Sequence, residues 1–452
     1  MSQPVQKNLF ITLLIFISAV SSAQGTWEKI DVPTIQHLRS VCFTDSSYGW
    51  VCGDSGIILH TIDGGASWAR QNSQVADEIS DIFFLNRTLG WASSLNYITE
   101  PYGTTLLKTT NGGADWTGYP YPKEDIFITC ILFRDSLNGW VGGRPHMIAR
   151  STNGGIDWTQ AAVDTSILAF FPVLSIHFYN DQYGYASGGM FDIAGVTWRT
   201  TNGGEMWYAI DPAEAPADEV HELHLFDSVN VIGAGGDPDF GYGVGMIRTS
   251  DGGFHWNYEE LVVQGNAYDI DFRTDTEVWA PLGPRQKFIY SMDGAVTWTP
   301  VATPDSTAIF DVTFPDSLHG FAVGRNGAVL KYKPKIIPSV PPGSTYEDGF
   351  ILYQNYPNPV SLLTTIKFFV PSFGKFHHLT TGKSNFYLRM LIFNLLGDEV
   401  AALKEYNLNP GEHQLEFNPG NLPGGIYFYQ LQLMSPGLEI SLTPPRKLVI
   451  QK

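Results

Sequence analysis

The chain repeats one alternating pattern of apolar and polar positions seven times. The first copy reads SVCFTDSSYGW at residues 40–50, and the other six begin at residues 81, 130, 175, 222, 269 and 311. Alternation with a period of two predicts β-strands, and the polar turn residues inside each copy predict antiparallel hairpins. Recurrence every 40 to 50 residues predicts a propeller or a solenoid.

A second phrase follows six of these copies. It is a hydroxyl residue, any residue, Asp or Asn, two glycines, two free positions and Trp, and it first reads TIDGGASW at residues 61–68. Asp and Asn accept hydrogen bonds from nearby amides and Gly adopts positive φ, so the phrase predicts a tight turn between a third and a fourth strand. We therefore assign a structural role to Asp63, Trp68, Asn111, Trp116, Asn153, Trp158, Asn202, Trp207, Asp251, Trp256, Asp293 and Trp298.

Seven hairpins with six Trp-bearing fourth strands leave one unit incomplete. Trp27 and the residues after it resemble the strand that follows each phrase, so the N-terminal segment is predicted to supply the missing strand. The prediction is an all-β, seven-bladed β-propeller over residues 24–332, closed by its N-terminal strand. Closure removes exposed sheet edges.

These phrases resemble the Asp-box (BNR) repeat of sialidase-like propellers. The combination of an F-x-D turn, a G-W pair and T-x-D-G-G-x-x-W resembles, more closely, the photosystem II assembly-factor family of seven-bladed propellers. The resemblance covers residues 25–332 and implies the fold. It implies little about function, because propellers host many activities.

Both ends of the chain carry targeting features. Lys7, an apolar run over 9–20 and the small residues 21–23 predict a secretory signal peptide over residues 1–23. Residues 333–349 are rich in Pro and Gly and predict a linker. The segment 350–452 alternates as a small β-sandwich would.

The C-terminal segment also carries an ordered set of motifs. They are QNYPNP at 354–359, LLGDEV at 395–400, PGEH at 410–413 and GGIYFY at 424–429. In this order they resemble the type A C-terminal sorting domain of the type IX secretion system. The resemblance implies export to the cell surface or medium, with the type IX machinery as a partner. Val360 stands where an aromatic residue is usual, and residues 372–385 resemble an insertion.

The net charge of the chain argues against some classes of partner. Residues 24–349 carry 18 Lys and Arg against 39 Asp and Glu, a net charge of −21, which argues against nucleic acid and anionic membranes. No other segment is long and apolar enough to span a membrane, and we expect a monomer.

Cys42 and Cys52 lie on consecutive predicted strands. Two buried free thiols are the favoured interpretation, and a disulfide between them is the alternative. No metal or cofactor is predicted.

The predicted functional surface lies opposite the Asp-box turns. Insertions at residues 94–104, 190–195 and 237–243 place aromatic and acidic side chains on that face. Such groups suit a protein or glycan ligand. We predict a secreted or cell-surface non-catalytic binding propeller, with an off-centre patch formed by Tyr97, Tyr102, Phe191, Asp192, Asp237, Asp239, Phe240 and Tyr242.

The alternative is a sialidase-like or xyloglucanase-like glycoside hydrolase acting on the same face. Sialidases need an arginine cluster, but here the arginines are scattered and the Arg-Ile-Pro signature is absent. Xyloglucanases pair two propeller rings around a cleft, whereas the sequence of this chain predicts a single ring. Acids such as Asp192 and Asp237 keep the alternative open. His221 and His224 flank Glu222 and Leu223 on a predicted strand, where residues three apart point to opposite faces, so ordinary strand roles are favoured over a metal site.

Overall fold

The computed structural model describes residues 25–239, 241–334, 350–370, 387–394, 397–405, 411–435, 438–441, 443 and 445–451. These residues divide into two compact units, one over 25–334 and one formed by the described residues from 350 onward. The predicted signal peptide, most of the predicted linker and the predicted insertion at 372–385 lie outside the described residues. No helix within the described part of the chain is long and apolar enough to cross a membrane.

The first unit contains seven sheets, here called blades 1 to 7. The N-terminal strand is β1 (Thr26–Ile30). Blade 1 comprises β2 (Leu38–Phe43), β3 (Gly49–Gly53), β4 (Ile57–Thr61) and β5 (Ala69–Asn72). Blade 2 comprises β6 (Glu78–Phe84), β7 (Gly90–Asn96), β8 (Gly103–Thr109) and β9 (Thr117–Pro120). Blade 3 comprises β10 (Phe127–Phe133), β11 (Gly139–Arg144), β12 (Met147–Ser151) and β13 (Thr159–Gln160).

Blades 4 to 7 follow the same order. Blade 4 comprises β14 (Ala162–Val163), β15 (Val173–Phe178), β16 (Gly184–Met190), β17 (Ala194–Thr200) and β18 (Met206–Ala209). Blade 5 comprises β19 (Val220–Leu225), β20 (Val231–Gly236), β21 (Gly243–Thr249) and β22 (Asn257–Gln264). Blade 6 comprises β23 (Asp271–Phe272), β24 (Val278–Pro281), β25 (Lys287–Ser291) and β26 (Thr299–Ala302). Blade 7 comprises β27 (Ile309–Asp316), β28 (His319–Gly324), β29 (Ala328–Lys333) and β1.

The described helices are four short 3-10 segments, at Asp54–Gly56, Ile167–Phe170, Pro304–Ser306 and Arg325–Gly327. One strand was not anticipated by the sequence pattern. β14 pairs in parallel with β18 and gives blade 4 a fifth strand, within a segment that alternation marked only as a connection. Two residues are too few to show a period, so only the tertiary pairing reveals this strand. The predicted all-β class is confirmed.

The Asp-box turns have the predicted hydrogen bonds. In the first box, Asp63 Oδ1 accepts hydrogen bonds from Ser67 N at 2.8 Å and Thr61 Oγ1 at 2.8 Å, while Gly65 N donates to Thr61 Oγ1 at 2.9 Å. Gly65 has φ of 78°, in the left-handed region that favours glycine. The degenerate sixth box keeps the same bonds, although Ala295 occupies that left-handed position. The side-chain bonds therefore maintain the turn even without the second glycine.

Aromatic stacking joins each of several blades to the next. Trp50 of blade 1 stacks on Phe84 of blade 2 with ring centroids 3.6 Å apart, and Trp91 of blade 2 stacks on Phe133 of blade 3 at 3.5 Å. Each indole also donates to the Asp box of the next blade, as Trp50 Nε1 does to the Gly112 carbonyl at 3.1 Å. Because these rings are buried, the Asp-box turns are fixed by packing as well as by their own hydrogen bonds.

Blade 7 uses equivalent contacts to meet blade 1. Phe321 stacks on Phe43 with centroids 3.8 Å apart, and Lys331 Nζ donates to the Gly64 carbonyl at 2.6 Å. β1 pairs antiparallel with β29 in the register Trp27↔Tyr332. The N-terminal strand thus occupies the outer edge of blade 7, where the strand count placed it.

An aromatic and polar cluster holds β1 in place. The Trp27 ring lies 5.1 Å from that of Phe288 and 5.2 Å from that of Tyr332. Tyr332 accepts a hydrogen bond from Gly25 N at 2.9 Å and donates to buried Glu277 at 2.6 Å. Glu277 also pairs with buried Arg273, so its charge is compensated.

The second unit is a two-sheet sandwich. One sheet contains β30 (Ile351–Leu352), β31 (Thr364–Val370) and β34 (Gly411–Phe417); the other contains β32 (Tyr387–Asn394), β33 (Glu399–Glu405), β35 (Gly425–Ser435), β36 (Leu438–Ser441) and β37 (Arg446–Ile450). Both sheets contribute to one core, which includes Phe368 and Met390. Val360, the departure from the resembled motif, is fully buried in this core and its amide donates to the Val449 carbonyl at 2.8 Å.

Substituting Trp27→Ala should destabilise the propeller by about 3 kcal/mol, because a large ring would be lost from the cluster that holds β1. Deleting residues 24–32 should do more, lowering the melting temperature and causing aggregation through the exposed edge of β29. Circular dichroism melts and size-exclusion chromatography measure both effects. The matched control is Ile35→Ala, at an exposed position just after β1, which should change stability by less than about 0.5 kcal/mol. A deletion variant as stable and monomeric as the parent would contradict this account of β1.

Candidate functional site

The two faces of the propeller differ in what they are made of. On one face, here called the turn face, each Asp box contacts the turn between the first and second strands of its blade. In blade 1, for example, Gly64 N donates a hydrogen bond to the Ser47 carbonyl at 2.9 Å. The opposite face, here called the loop face, carries the turns between second and third strands and the connections between blades. The turn face is occupied by repeated stabilising contacts. Differences between the repeats of this chain can therefore accumulate on the loop face without disturbing the blades.

Exposed apolar side chains on the loop face are confined mainly to one side of it. Among the described residues, blades 2 to 5 and their connections carry eight of them, whereas blades 1, 6 and 7 contribute only Ile35 to this face. We call this set the apolar arc: Tyr97, Ile98, Tyr102, Ile167, Phe170, Met190, Ile193 and Tyr242. Its off-centre position follows from the insertions, because the shorter turns of the other blades carry no exposed large apolar residue.

The predicted patch residues are distributed unevenly along this surface. Tyr97 is half exposed and stacks one ring face on Phe127, with centroids 4.4 Å apart, while Tyr102 and Tyr242 are exposed. Phe191 is partly buried and its ring centroid lies 6.0 Å from that of His221. Phe240 lies outside the described residues. Sequence reasoning omitted Ile98, Ile167, Met190 and Ile193 from the patch, because it selected aromatic side chains and gave aliphatic loop residues no weight.

The structure brings two of the predicted acids together with a third. One carboxylate oxygen each from Asp192, Asp218 and Asp237 lies within 4.8 Å of the others. Asp192 N donates to Asp218 Oδ1 at 3.0 Å, and Asp239 N donates to Asp237 Oδ1 at 2.6 Å. Asp237 is only 4% exposed, whereas Asp239 is exposed and stays outside the group.

The electrostatics of this acidic group follow from burial and crowding. Burial raises the pKa of Asp218, and the neighbouring carboxylates of Asp237 and Asp192 raise it further. Oxygen donors this close together are the kind that a divalent cation accepts, so these three residues could hold one. Asp218 had no signal in the sequence, since it lies in a blade connection and only the fold places it beside Asp192.

A tunnel runs through the centre of the first unit. Its loop-face portion is a cavity of about 370 Å³, with walls that come from the first strands, or the residues just before them, of all seven blades. Its turn-face portion is a cavity of about 460 Å³ that shares Glu222, Asp269 and Asp311 with the first. In the part of the chain that the structure describes, six acidic side chains line these walls: Glu78, Asp81, Glu222, Asp269, Asp271 and Asp311.

Side chains in the tunnel bridge every pair of neighbouring blades. The bridges, in order around the ring, are Ser40 Oγ to Asp81 at 2.9 Å, Ile131 N to Asp81 at 2.7 Å, Thr129 Oγ1 to the Val173 carbonyl at 2.7 Å, His177 with Glu222, Asn266 with His221 at 3.0 Å, Val312 N to Asp269 at 2.7 Å and Val41 N to Asp311 at 2.8 Å. First strands of adjacent blades do not pair through their backbones, and at three of these seams a carboxylate, that of Asp81, Asp269 or Asp311, accepts an amide that the sheets leave free.

Burial dominates the protonation of the tunnel acids. It raises the pKa of Asp81 to about 6, that of Asp269 to about 6 and that of Asp271 to about 7, and it also raises the pKa of Asp311. The amide hydrogen bonds act in the opposite direction without cancelling burial. Burial acts to lower the pKa of His177, but the Glu222 carboxylate outweighs it and the pKa is raised. Sequence reasoning passed over these acids, although they begin the repeats at residues 81, 222, 269 and 311.

The other chemical candidates have structural surroundings. Glu222 pairs with His177, His221 lies beside Asn266, and His224 stacks on Phe272 with centroids 4.1 Å apart, so the two histidines do not share a ligand. Cys42, Cys52 and Cys130 are free thiols. Cys42 lies opposite Trp50, not Cys52, in the β2–β3 register.

Comparison with known proteins agrees with this architecture. Residues 19–121 match the family described as photosynthesis system II assembly factor YCF48, and residues 354–437 match the family described as secretion system C-terminal sorting domain. The photosystem II assembly lipoprotein Ycf48 of Synechococcus sp. (strain CC9902) is 23% identical over 313 residues, which cover 69% of this chain and 76% of that protein.

Solved structures show the same fold at low identity. A structure of YCF48 bound to D1 peptide has a TM-score of 0.54 and 21% identity, covering 68% of this chain and 96% of that chain. The GH74 xyloglucanase from Xanthomonas campestris has a TM-score of 0.53 and 12% identity, covering 94% and 81%. Identity this low shows a shared fold and no more. The chain thus combines an Asp-box propeller similar to the Ycf48 photosystem II assembly factors with a C-terminal segment similar to secretion-system sorting domains.

Proposed function

We propose that this protein is an exported, non-catalytic propeller that binds a protein or peptide partner through the apolar arc. The observation that carries the proposal is the one-sided distribution of exposed apolar side chains on the loop face. Monomeric proteins seldom expose contiguous apolar surface without a use for it, and Tyr, Met and Ile at a surface of this kind suit a protein interface.

A protein partner fits the arc better than a glycan does. Four of its eight members, Ile98, Ile167, Met190 and Ile193, are not aromatic. Sugar rings stack on flat aromatic faces, and Tyr97 has one face already covered by Phe127. Aliphatic side chains instead pack against the apolar side chains of a polypeptide. The adjacent acids Asp192, Asp218 and Asp237 favour a partner segment that carries basic residues.

The comparisons support the same class of function. One structural relative is YCF48 bound to D1 peptide, so a propeller similar in fold to this one binds a peptide. The relatives matched across most of this chain are assembly factors. The C-terminal match supports secretion or cell-surface export, with the type IX machinery as the partner of residues 350–452.

Replacing two arc residues with charge should abolish partner capture. We expect the Ile98→Asp/Ile193→Asp variant to lose at least tenfold in binding, because both side chains are exposed on the loop face and would place carboxylates in an apolar contact. The matched control is Ile62→Asp/Ile156→Asp, which changes two isoleucines that are also more than half exposed but lie on the turn face. Quantitative affinity capture from the surface fraction of the source cells compares the two, and circular dichroism verifies folding. Equal binding by both variants would exclude the arc.

Shortening the loops tests the same surface independently. Replacing residues 97–102, 191–193 and 237–242 each with the three-residue turn of blade 1, Asp54–Gly56, should leave the blades folded and remove binding, since these residues lie between strands. The change shortens the first and third loops and replaces the side chains of the second. Retention of every captured partner would redirect attention to the turn face or the tunnel.

Removing residues 350–452 should leave a folded propeller inside the cell envelope. The first unit has its own core and contains residues 25–334, so its melting should be preserved. Cell fractionation with an antibody to the propeller measures location. Truncated protein found at the surface or in the medium would contradict the sorting role of this segment.

Glycoside hydrolysis remains the second candidate, favoured by the grouping of Asp192, Asp218 and Asp237. Their separation is shorter than the roughly 6.5–9.5 Å of inverting enzymes and closer to the roughly 5–5.5 Å of retaining ones. A panel of polysaccharides assayed by reducing-end release tests this. Turnover that falls at least 100-fold in Asp237→Asn, and is unchanged in the control Asp63→Asn, would establish the enzyme and displace the binding proposal.

A further inference from the structure

At the seam between blade 7 and blade 1 a carboxylate accepts a backbone amide, as also happens at the seams between blades 2 and 3 and between blades 6 and 7. Asp311 Oδ2 accepts the hydrogen bond of Val41 N at 2.8 Å, across 270 residues of chain. At this seam the two ends of the ring meet, because β1 supplies the outer strand of blade 7 and then leads into β2. A change in Asp311 therefore acts where the ring has been completed by non-covalent contacts.

Asp311 lies beside a second carboxyl group, that of Asp269, with which it lines both portions of the tunnel. Asp269 Oδ2 accepts a hydrogen bond at 2.7 Å from the amide of Val312, the residue after Asp311, and Asp269 Oδ1 accepts from Ile270 N at 2.7 Å. Two carboxylates offer only acceptors, so a hydrogen bond between them requires one proton. The hydrogen bonds from the backbone amides use other lone pairs of the same two carboxyl groups. The pair thus bridges blade 6 to blade 7 and blade 7 to blade 1, and a hydrogen bond between its two carboxyl groups would need a proton on one of them.

We propose that a proton shared by Asp269 and Asp311 closes the ring, and that loss of this proton weakens the seam between blades 7 and 1. Without it, two negative charges would face each other across the inner strands. The neighbouring charges would oppose ionisation further, since Asp81 and Glu222 act on this pair and Asp269 also interacts with Asp271. The seam is then a pH-sensitive element of the fold.

The surroundings offer little positive charge to compensate a second carboxylate. The charged or titratable groups that line the tunnel with the pair, or interact with it electrostatically, are Arg39, Cys42, Cys52, Glu78, Asp81, Cys130, His177, Tyr179, His221, Glu222, His224, Tyr268 and Asp271. Arg39 is already paired with Asp54 at 2.9 Å and Glu78 at 3.3 Å, and His177 is paired with Glu222. Acids thus dominate the groups facing Asp269 and Asp311.

The direction of the pH effect follows from linkage. Burial raises the pKa of Asp269 to about 6 and raises that of Asp311, both above the value of about 3.9 for an unfolded Asp. The unfolded chain therefore releases these protons more readily than the folded chain. The stabilisation is fully present below about pH 4 and is lost as pH rises through 6 and above. The propeller should melt at a lower temperature at pH 8 than at pH 5.

Thermal melts of the full chain between pH 5 and 8 test the proposal. All twelve tryptophans lie between residues 27 and 298, so tryptophan fluorescence reports on the propeller alone. We expect the melting temperature to fall by about 5 °C or more over this range. Asp311→Asn keeps an oxygen acceptor for Val41 N but cannot ionise, so it should reduce the slope by at least half. Asp269→Asn, which leaves the Asp311 bond to Val41 intact, should do the same and provides a second variant if Asp311→Asn folds poorly.

Hydrogen exchange identifies where the pH acts. In the parent, protection of peptides covering β2 should fall at least tenfold between pH 6 and 8 after correction for intrinsic exchange, and Asp311→Asn should remove most of that change. The matched control is Thr129→Val, since Thr129 bridges blades 3 and 4 without an ionisable group; it should affect protection of β15, which begins at Val173, and leave the pH response of β2. A parent melting temperature independent of pH, an unchanged slope in both Asn variants, or an unaltered pH response of β2 in Asp311→Asn would each overturn the proposal.

Discussion

The contact between neighbouring blades is the constraint on which the propeller depends. Radial sheets cannot continue their backbone pairing from one blade to the next, so the inner strands would leave amides unsatisfied. Two devices solve this problem. In the tunnel, polar side chains such as Asp81 and Asp311 accept hydrogen bonds from those amides. Further out, buried aromatic pairs such as Trp50 with Phe84 exclude water between the sheets.

The same contacts explain why the Asp box recurs. Its carbonyls accept hydrogen bonds from the preceding blade, as Gly112 does from Trp50 and Gly64 does from Lys331. The box is thus a turn within one blade and an acceptor for another. Using the turn face in this way leaves the loop face free to vary. The insertions and the apolar arc lie there because longer turns between second and third strands do not disturb the inter-blade contacts.

The acidic tunnel shows how one residue type can serve structure while appearing functional. The six carboxylates of the tunnel resemble a functional site, yet Asp81, Asp269, Asp271 and Asp311 each accept an amide of a neighbouring inner strand. Glu222 pairs with His177 instead. Carboxylates make strong acceptors for such amides, but burial makes them retain protons near neutral pH. A hydroxyl bridge such as that of Thr129 carries no such dependence on pH.

What the sequence determined by itself was the local and periodic part of the structure. Alternation predicted the strands, the Asp, Gly and Trp spacing predicted the turns, and the missing seventh Trp strand pointed to Trp27, because each depends on neighbours within a few residues or on repetition. The tertiary structure decided the rest. Blade packing alone places Asp218 beside Asp192, pairs β14 with β18, and sets Asp269 against Asp311. It also revealed that aliphatic residues such as Ile98 are exposed on one side of the loop face, since exposure depends on which distant loops cover a side chain and has no local signature.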